Sequence, residues 1–180
     1  MTTAILKAMA TEGTHAVGSI NVIQVKTLAN GAKITGAAVD NWTLVELAGF
    51  NEDGERLCKT VTAKDKKGYL VASVEQRFLG EDIAHFFNDV DEFARLVVLE
   101  ADYTRFEASN FTLNAGVTEV VNGQVAHFDV ATKKFILSAL ATPHADFATS
   151  TYQFEVVADL EDTAGNFLQP TVRLMCTKVA

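Results

Sequence analysis

The groups in this chain that could take part in chemistry are four histidines, two cysteines, five serines and a surplus of carboxylates. A nucleophilic serine needs a positioned base and, in one common arrangement, a Gly-x-Ser-x-Gly turn that exposes it. None of Ser19, Ser73, Ser109, Ser138 and Ser150 stands in such a turn. Cys58 and Cys176 lie far apart among hydrophobic or β-forming neighbours, the setting of buried thiols rather than of a thiolate nucleophile. His15, His85, His127 and His144 stand singly, so no zinc-binding spacing can be read from them, and no metal or cofactor is expected. His127, between Ala126 and Phe128, reads as a buried, hydrogen-bonded histidine.

Carboxylates are so frequent that any fold would bring some pair to a distance suited to glycoside hydrolysis, which makes a small carboxylate hydrolase a weak third reading. The densest group, Asp89, Asp91 and Glu92, lacks the glycine and terminal glutamate of a calcium loop and reads as a solvated helix face. No glycine loop carries the lysine of a phosphate-binding motif. The expectation is therefore a protein that is not an enzyme.

Composition sets the frame around these groups. At 180 residues and 48% hydrophobic, the chain is long enough to bury a core without crosslinks. Its formal net charge of -8 opposes binding to phosphate backbones, which depends on clustered Lys and Arg. The one basic run, residues 64–67, contains Asp65 and precedes Gly68, as a solvated turn would. No apolar window approaches the ~20 residues that span a bilayer, and the first residues lack the basic start and apolar run of a signal peptide. Neither nucleic acid nor membrane is an expected partner. The Asn-x-Thr triplets at Asn41 and Asn110 are then not expected to carry glycans.

The elements that would position these groups read as strands. Short β-branched runs alternate with turn residues at spacings near ten, as in sandwiches and barrels. Runs at 20–25, 34–39, 42–47, 56–62 and 69–74 are separated by Asn30-Gly31, Asp40-Asn41, Asn51 to Gly54 and Lys67-Gly68. Further strands follow at 96–99 and 103–107. A hairpin of 117–121 with 124–128 turns at Asn122-Gly123, and another run covers 135–140. The strongest hairpin signal pairs 152–160 with 167–178, where Pro170 implies an edge or bulge. Over 80–95, Ile83, Phe86, Phe87, Val90, Phe93 and Ala94 fall at spacings of three and four, which predicts an amphipathic helix. The fold class expected is mainly β, an antiparallel barrel or sandwich with one short amphipathic helix, as a single domain over 19–180. Residues 1–18 form a leading segment, either frayed or an arm in which Ile5, Leu6, Met9 and Val17 could meet a neighbour. Trp42, the single tryptophan, is either a core residue or a partner-binding anchor.

Several of these stretches also carry a resemblance. Asn30-Gly31-Ala32-Lys33-Ile34-Thr35-Gly36, Asp40-Asn41-Trp42-Thr43-Leu44-Val45-Glu46-Leu47 and Glu52-Asp53-Gly54-Glu55-Arg56 resemble a family of tailed-bacteriophage structural proteins whose genes often accompany the major capsid gene. Lys67 to Ser73 and Asn122 to Asp129 are similar to the same family. The resemblance implies an accessory capsid protein of the head-decoration or head-fibre type. Such a protein would be made in the host cytoplasm and sit on the virion, bound as a homo-oligomer to the major capsid protein and stabilising the shell. The alternative is a tail or fibre receptor- or carbohydrate-binding module, with Trp42 or Tyr152 stacking on a sugar.

Overall fold

The computed structural model describes residues 26–74, 86–160 and 171–179, and among them the backbone is almost entirely strand and turn. Six strands form the first sheet: β1 (Ala32–Ile34), β2 (Leu44–Phe50), β3 (Arg56–Thr60), β4 (Tyr69–Val71), β5 (Phe93–Ala94) and β6 (Leu96–Val97). Their order is β5-β1-β3-β2-β4-β6. The two outer members, β5 and β6, are separated in the chain by Arg95 alone. One bent strand therefore pairs with β1 through its first half and with β4 through its second, and the sheet closes on itself as a small barrel.

Side-chain alternation confirms the closure. Ala94 and Leu96 point inward with Ala32, Ile34, Val45, Cys58, Tyr69 and Val71, forming the barrel interior. Leu70, Ala72 and Val97, one residue out of phase, point outward into a second core. Closure removes the open edges that a six-stranded sheet would otherwise expose.

The second sheet contains β7 (Arg105–Ala108), β8 (Phe111–Leu113), β9 (Val125–Asp129), β10 (Lys134–Ser138), β11 (Tyr152–Leu160) and β12 (Thr171–Val179), in the order β7-β12-β11-β9-β10-β8. Its inner face carries Phe106, Ala126, Phe128, Phe135, Phe154 and Leu174 against the outer wall of the barrel. Trp42 is buried in the same core, its ring stacked on Phe106 at 6.1 Å and 5°. Phe106 in turn meets Phe154 edge-on at 5.6 Å. Each sheet is mixed rather than purely antiparallel. β1 runs parallel to β3, and β8 parallel to β10, because in both cases a strand is followed by a hairpin whose second arm returns beside it.

Polar side chains secure the joint. Trp42 has a positive φ of 66°, a conformation uncommon for a bulky residue. Its amide donates to the Val71 carbonyl at 2.7 Å, and its carbonyl accepts from Asn110 Nδ2 at 3.1 Å. Asn41 Nδ2 donates to the Ser73 carbonyl, and its Oδ1 accepts from the Ser73 amide and from Asn88 Nδ2. The two Asn-x-Thr asparagines are therefore buried structural ties.

The structure departs from the sequence reading at several elements. The run at 34–39 is strand only at its first residue and bends at 36–37, and Phe111–Leu113 is a strand outside every run read above. No helix covers residues 86–95: Asn88 bridges Val39, Asp91 takes a positive φ of 68°, and residues 93–97 form the closing strand. Closing the edges left by β1 and β4 outweighs the local helical pattern; residues 80–85 of the predicted helix lie outside the described residues. Residues 117–121 form no strand either, because both ladder sides of β9 are taken by β10 and β11. That segment is instead held by Gln124, whose Nε2 donates to the Glu119 carbonyl and whose Oε1 accepts from the Val121 amide. The predicted strand at 20–25 and the turn at 161–166 lie outside the described residues. The hairpin arms β11 and β12 themselves pair antiparallel from Tyr152↔Val179 to Leu160↔Thr171.

Gly31 makes barrel closure testable. It has a φ of +58°, and a Cβ placed there would stand 2.1 Å from the Ala94 carbonyl oxygen on the closing strand. Gly123 shares the positive φ but has open space around it. Gly123→Ala should cost roughly 1–2 kcal/mol from backbone strain alone, and Gly31→Ala should cost more than ~3 kcal/mol because the strand must also move. Urea unfolding of both variants measures the difference; equal losses would contradict the close approach.

Candidate functional site

Strand β9 alternates Ala126 and Phe128 into the inter-sheet core, which turns His127 to the sheet's other face. The segment after β10 folds back over that face. Ser138 Oγ accepts from the His144 amide at 3.2 Å, and the His144 ring stacks on His127 with centroids 4.9 Å apart. Two residues on, Asp146 precedes a short 3-10 helix, Phe147–Thr149, and its carbonyl accepts from both the amide and the hydroxyl of Ser150. The Asp146 carboxylate is ion-paired with Lys64, which comes from the turn between β3 and β4 of the barrel. The Lys64 carbonyl accepts from the Thr151 amide at 3.0 Å, so backbone and side chain both fasten the loop to the barrel.

An imidazole nitrogen of each histidine and an oxygen of Asp146 lie within 4.8 Å of one another, the only such grouping of three ligand-type residues among the described residues. His127 is 1% exposed, and neither of its ring nitrogens has a hydrogen-bond partner among the described residues. Burial pushes its imidazole down to about 4, helped by His144, so it is neutral at pH 7. The Lys64 partner holds Asp146 below the usual carboxylate range, so that group is ionised. An unpaired buried polar atom costs about 1–3 kcal/mol, which makes the bare His127 ring the most conspicuous unfilled demand in the described structure. The sequence reading of His127 as buried holds, but its hydrogen bonds are missing. The histidines that stand singly along the chain are in contact in space.

A second arrangement lies on the barrel. Phe50 at the end of β2 is 67% exposed and Phe93 in β5 is 51% exposed, and both line a groove of about 290 Å³ with Gly31, Asp53, Glu55 and Arg56. The Arg56 guanidinium is pinned by the Ala29 carbonyl at 2.9 Å and the Gly31 carbonyl at 3.2 Å. Asn51 shapes the rim: its Oδ1 accepts from the Asp53 and Glu55 amides, and its Nδ2 donates to Glu55. That bond, together with Lys33, lowers the Glu55 carboxyl below its ordinary value.

The residues singled out in the sequence are not brought together. Trp42 is 2% exposed and belongs to the core, so it cannot serve as a surface anchor. Tyr152 is buried as well, its hydroxyl donating to the Gly68 carbonyl at 2.7 Å. Ile5, Leu6, Met9, Val17, His15 and His85 lie outside the described residues. The acidic group at 89–92 is a self-capped turn in which Glu92 accepts from the Asp89 amide, not a helix face. Phe50 and Phe93 were missed because one lies between the run at 42–47 and the turn at 51–54 and the other in a helical pattern, and neither setting reveals which edge stays uncovered.

With this geometry in place, comparison with known proteins gives a family. The model of a family described as YonC prophage protein matches residues 11–177. The chain is also 49% identical over 174 residues to the SPbeta prophage-derived uncharacterized protein YonC of Bacillus subtilis (strain 168), covering 97% of each. No solved structure matches. The chain belongs to the YonC prophage protein family.

The cysteines take part in neither arrangement. Cys58 lies in the barrel interior and Cys176 in the inter-sheet core, both free and buried, and burial pushes each thiol up to about 11. Alkylation of the native protein should be slower than of the unfolded chain by roughly a hundredfold from the thiolate fraction alone. Intact-mass measurement should show two labels only after unfolding; rapid native labelling, or a loss of two hydrogens in fresh protein, would contradict the burial.

Proposed function

Taking the chain as a member of a prophage protein family, we propose that it is a non-enzymatic virion structural protein. It binds the outer surface of the capsid and stabilises the shell, as a homo-oligomeric array contacting the major capsid protein. The observation that carries this reading is the pair of exposed aromatic rings, Phe50 and Phe93, on one groove of a closed barrel. Large apolar rings beside a fixed guanidinium are the composition of protein-binding hot spots. Many copies, each with a modest contact, would hold a shell through multivalency. The net charge of -8 supports a protein partner over nucleic acid and keeps copies soluble before assembly.

The same groove gives the second reading its support. Two aromatic faces with Asp53, Glu55 and Arg56 nearby could also stack on and hydrogen-bond a saccharide, as a tail or fibre module would. The two readings separate by ligand.

The purified chain should cosediment with emptied phage heads at micromolar concentration and persist in moderate salt, since screening weakens mainly exposed charge pairs. Phe50→Ser with Phe93→Ser should reduce retention at least tenfold while leaving thermal unfolding close to wild type. Retention on cell-wall polysaccharide but not on heads would replace the shell reading with the saccharide one. Retention on heads unchanged by the double substitution would exclude the groove as the contact.

A further inference from the structure

The polar face of the second sheet is not used by the capsid-binding reading, yet it holds a prearranged donor set. We propose that His127, His144 and Asp146 bind one divalent transition-metal ion of the zinc class through two imidazoles and a carboxylate.

Two features support the assignment. First, the two His127 ring nitrogens are fully buried without partners, while the half-buried His144 and Asp146 side chains present ligand atoms within 4.8 Å. A nitrogen, nitrogen and oxygen set of this kind suits zinc, cobalt or nickel, with remaining positions open to water. Second, the ligands are held from behind. Lys64 occupies Oδ1 of Asp146, which leaves Oδ2 for a metal, and such outer contacts fix carboxylate position in metal sites generally. His144 Nδ1, which accepts from the Asp146 amide at 3.2 Å and lies 3.7 Å from Asp146 Oδ2, carries the ring's lone pair and is the nitrogen a metal would take. The Asp129 carboxylate on the same strand adds negative potential at His127, opposing the Lys64 charge.

An ion there would tie together β9, the loop that carries His144 and Asp146, and, through Lys64, the β3–β4 turn of the barrel. It would act as a clasp between the two halves of the fold. Coordination at bond lengths near 2 Å requires ligand separations of up to 4.8 Å to close by as much as roughly 1.5 Å.

The test uses the untagged full chain, stripped with chelator and titrated calorimetrically with Zn²⁺, and with Co²⁺ for its visible d–d bands. One equivalent should bind with micromolar or tighter affinity, raise the unfolding temperature, and give cobalt bands of four- or five-coordinate nitrogen and oxygen ligation. His144→Gln and Asp146→Asn, both at partly exposed positions, should each weaken binding at least tenfold while circular dichroism stays native. Lys64→Met, which loses the contact behind Asp146 but none of the three ligands, should weaken binding by less than either ligand variant. Absence of saturable binding by either ion up to millimolar concentration would overturn the proposal. One-to-one binding that survives in both ligand variants would also overturn it.

Discussion

The stack of Trp42 on Phe106 joins the two halves of this molecule. Trp42 sits at the entry to β2 of the barrel and Phe106 on β7 of the second sheet, and Phe135 and Phe154 close around Phe106 at 5.4 and 5.6 Å. Aromatic pairs contribute roughly 0.5–1.5 kcal/mol beyond the area they bury, so a cluster of four is a large share of what holds one sheet on the other. The geometry is costly locally, since Trp42 adopts a positive φ and its indole nitrogen has no partner. The hydrogen bonds from the Trp42 amide to Val71 and from Asn110 to the Trp42 carbonyl fix the backbone there against relaxation.

Barrel closure depends on a different constraint, the continuity of residues 93–97. Because that strand alternates without interruption, it can fill the interior with Ala94 and Leu96 while Val97 faces the second sheet. The bend at Asn30-Gly31 lets the chain before β1 follow the same strand: Leu28 donates to the Leu96 carbonyl and Val98 to that of Lys26. Closure also brings Phe93 beside Phe50, since the outward phase of the closing strand is what exposes it. The groove is thus a by-product of the register that satisfies the interior.

The polar face of the second sheet obeys the same logic. Alternation that places Ala126 and Phe128 in the core forces residue 127 outward, and the 139–151 loop then covers it, burying an imidazole that no group among the described residues satisfies. On the same sheet Arg173 meets Glu107 across β12 and β7, donating through Nε at 3.1 Å and Nη2 at 2.5 Å. That partly buried pair is complete, as buried charges such as Glu107 ordinarily must be. His127 is the contrasting case, and the contrast points to an external partner.

Alternation and turn chemistry are local properties, and the sequence by itself determined what they determine: a mainly β protein, the β2–β3 hairpin around Asn51 to Gly54, the β11–β12 hairpin, and two unlinked cysteines. The resemblance of residues 30–140 to phage proteins also pointed toward the prophage family to which the chain belongs. Pairing partners are not local. Residues 86–95 have helical spacing, but the free edges of β1 and β4 convert part of them to strand; residues 117–121 have strand spacing, but no ladder position remains for them. The candidate sites depended on tertiary structure most of all. His127 and His144 are 17 positions apart and meet only because a loop returns over β9, while Phe50 and Phe93 meet only because the barrel closes. Spacing along a chain encodes which face a residue takes; which other face it will meet is decided by long-range packing.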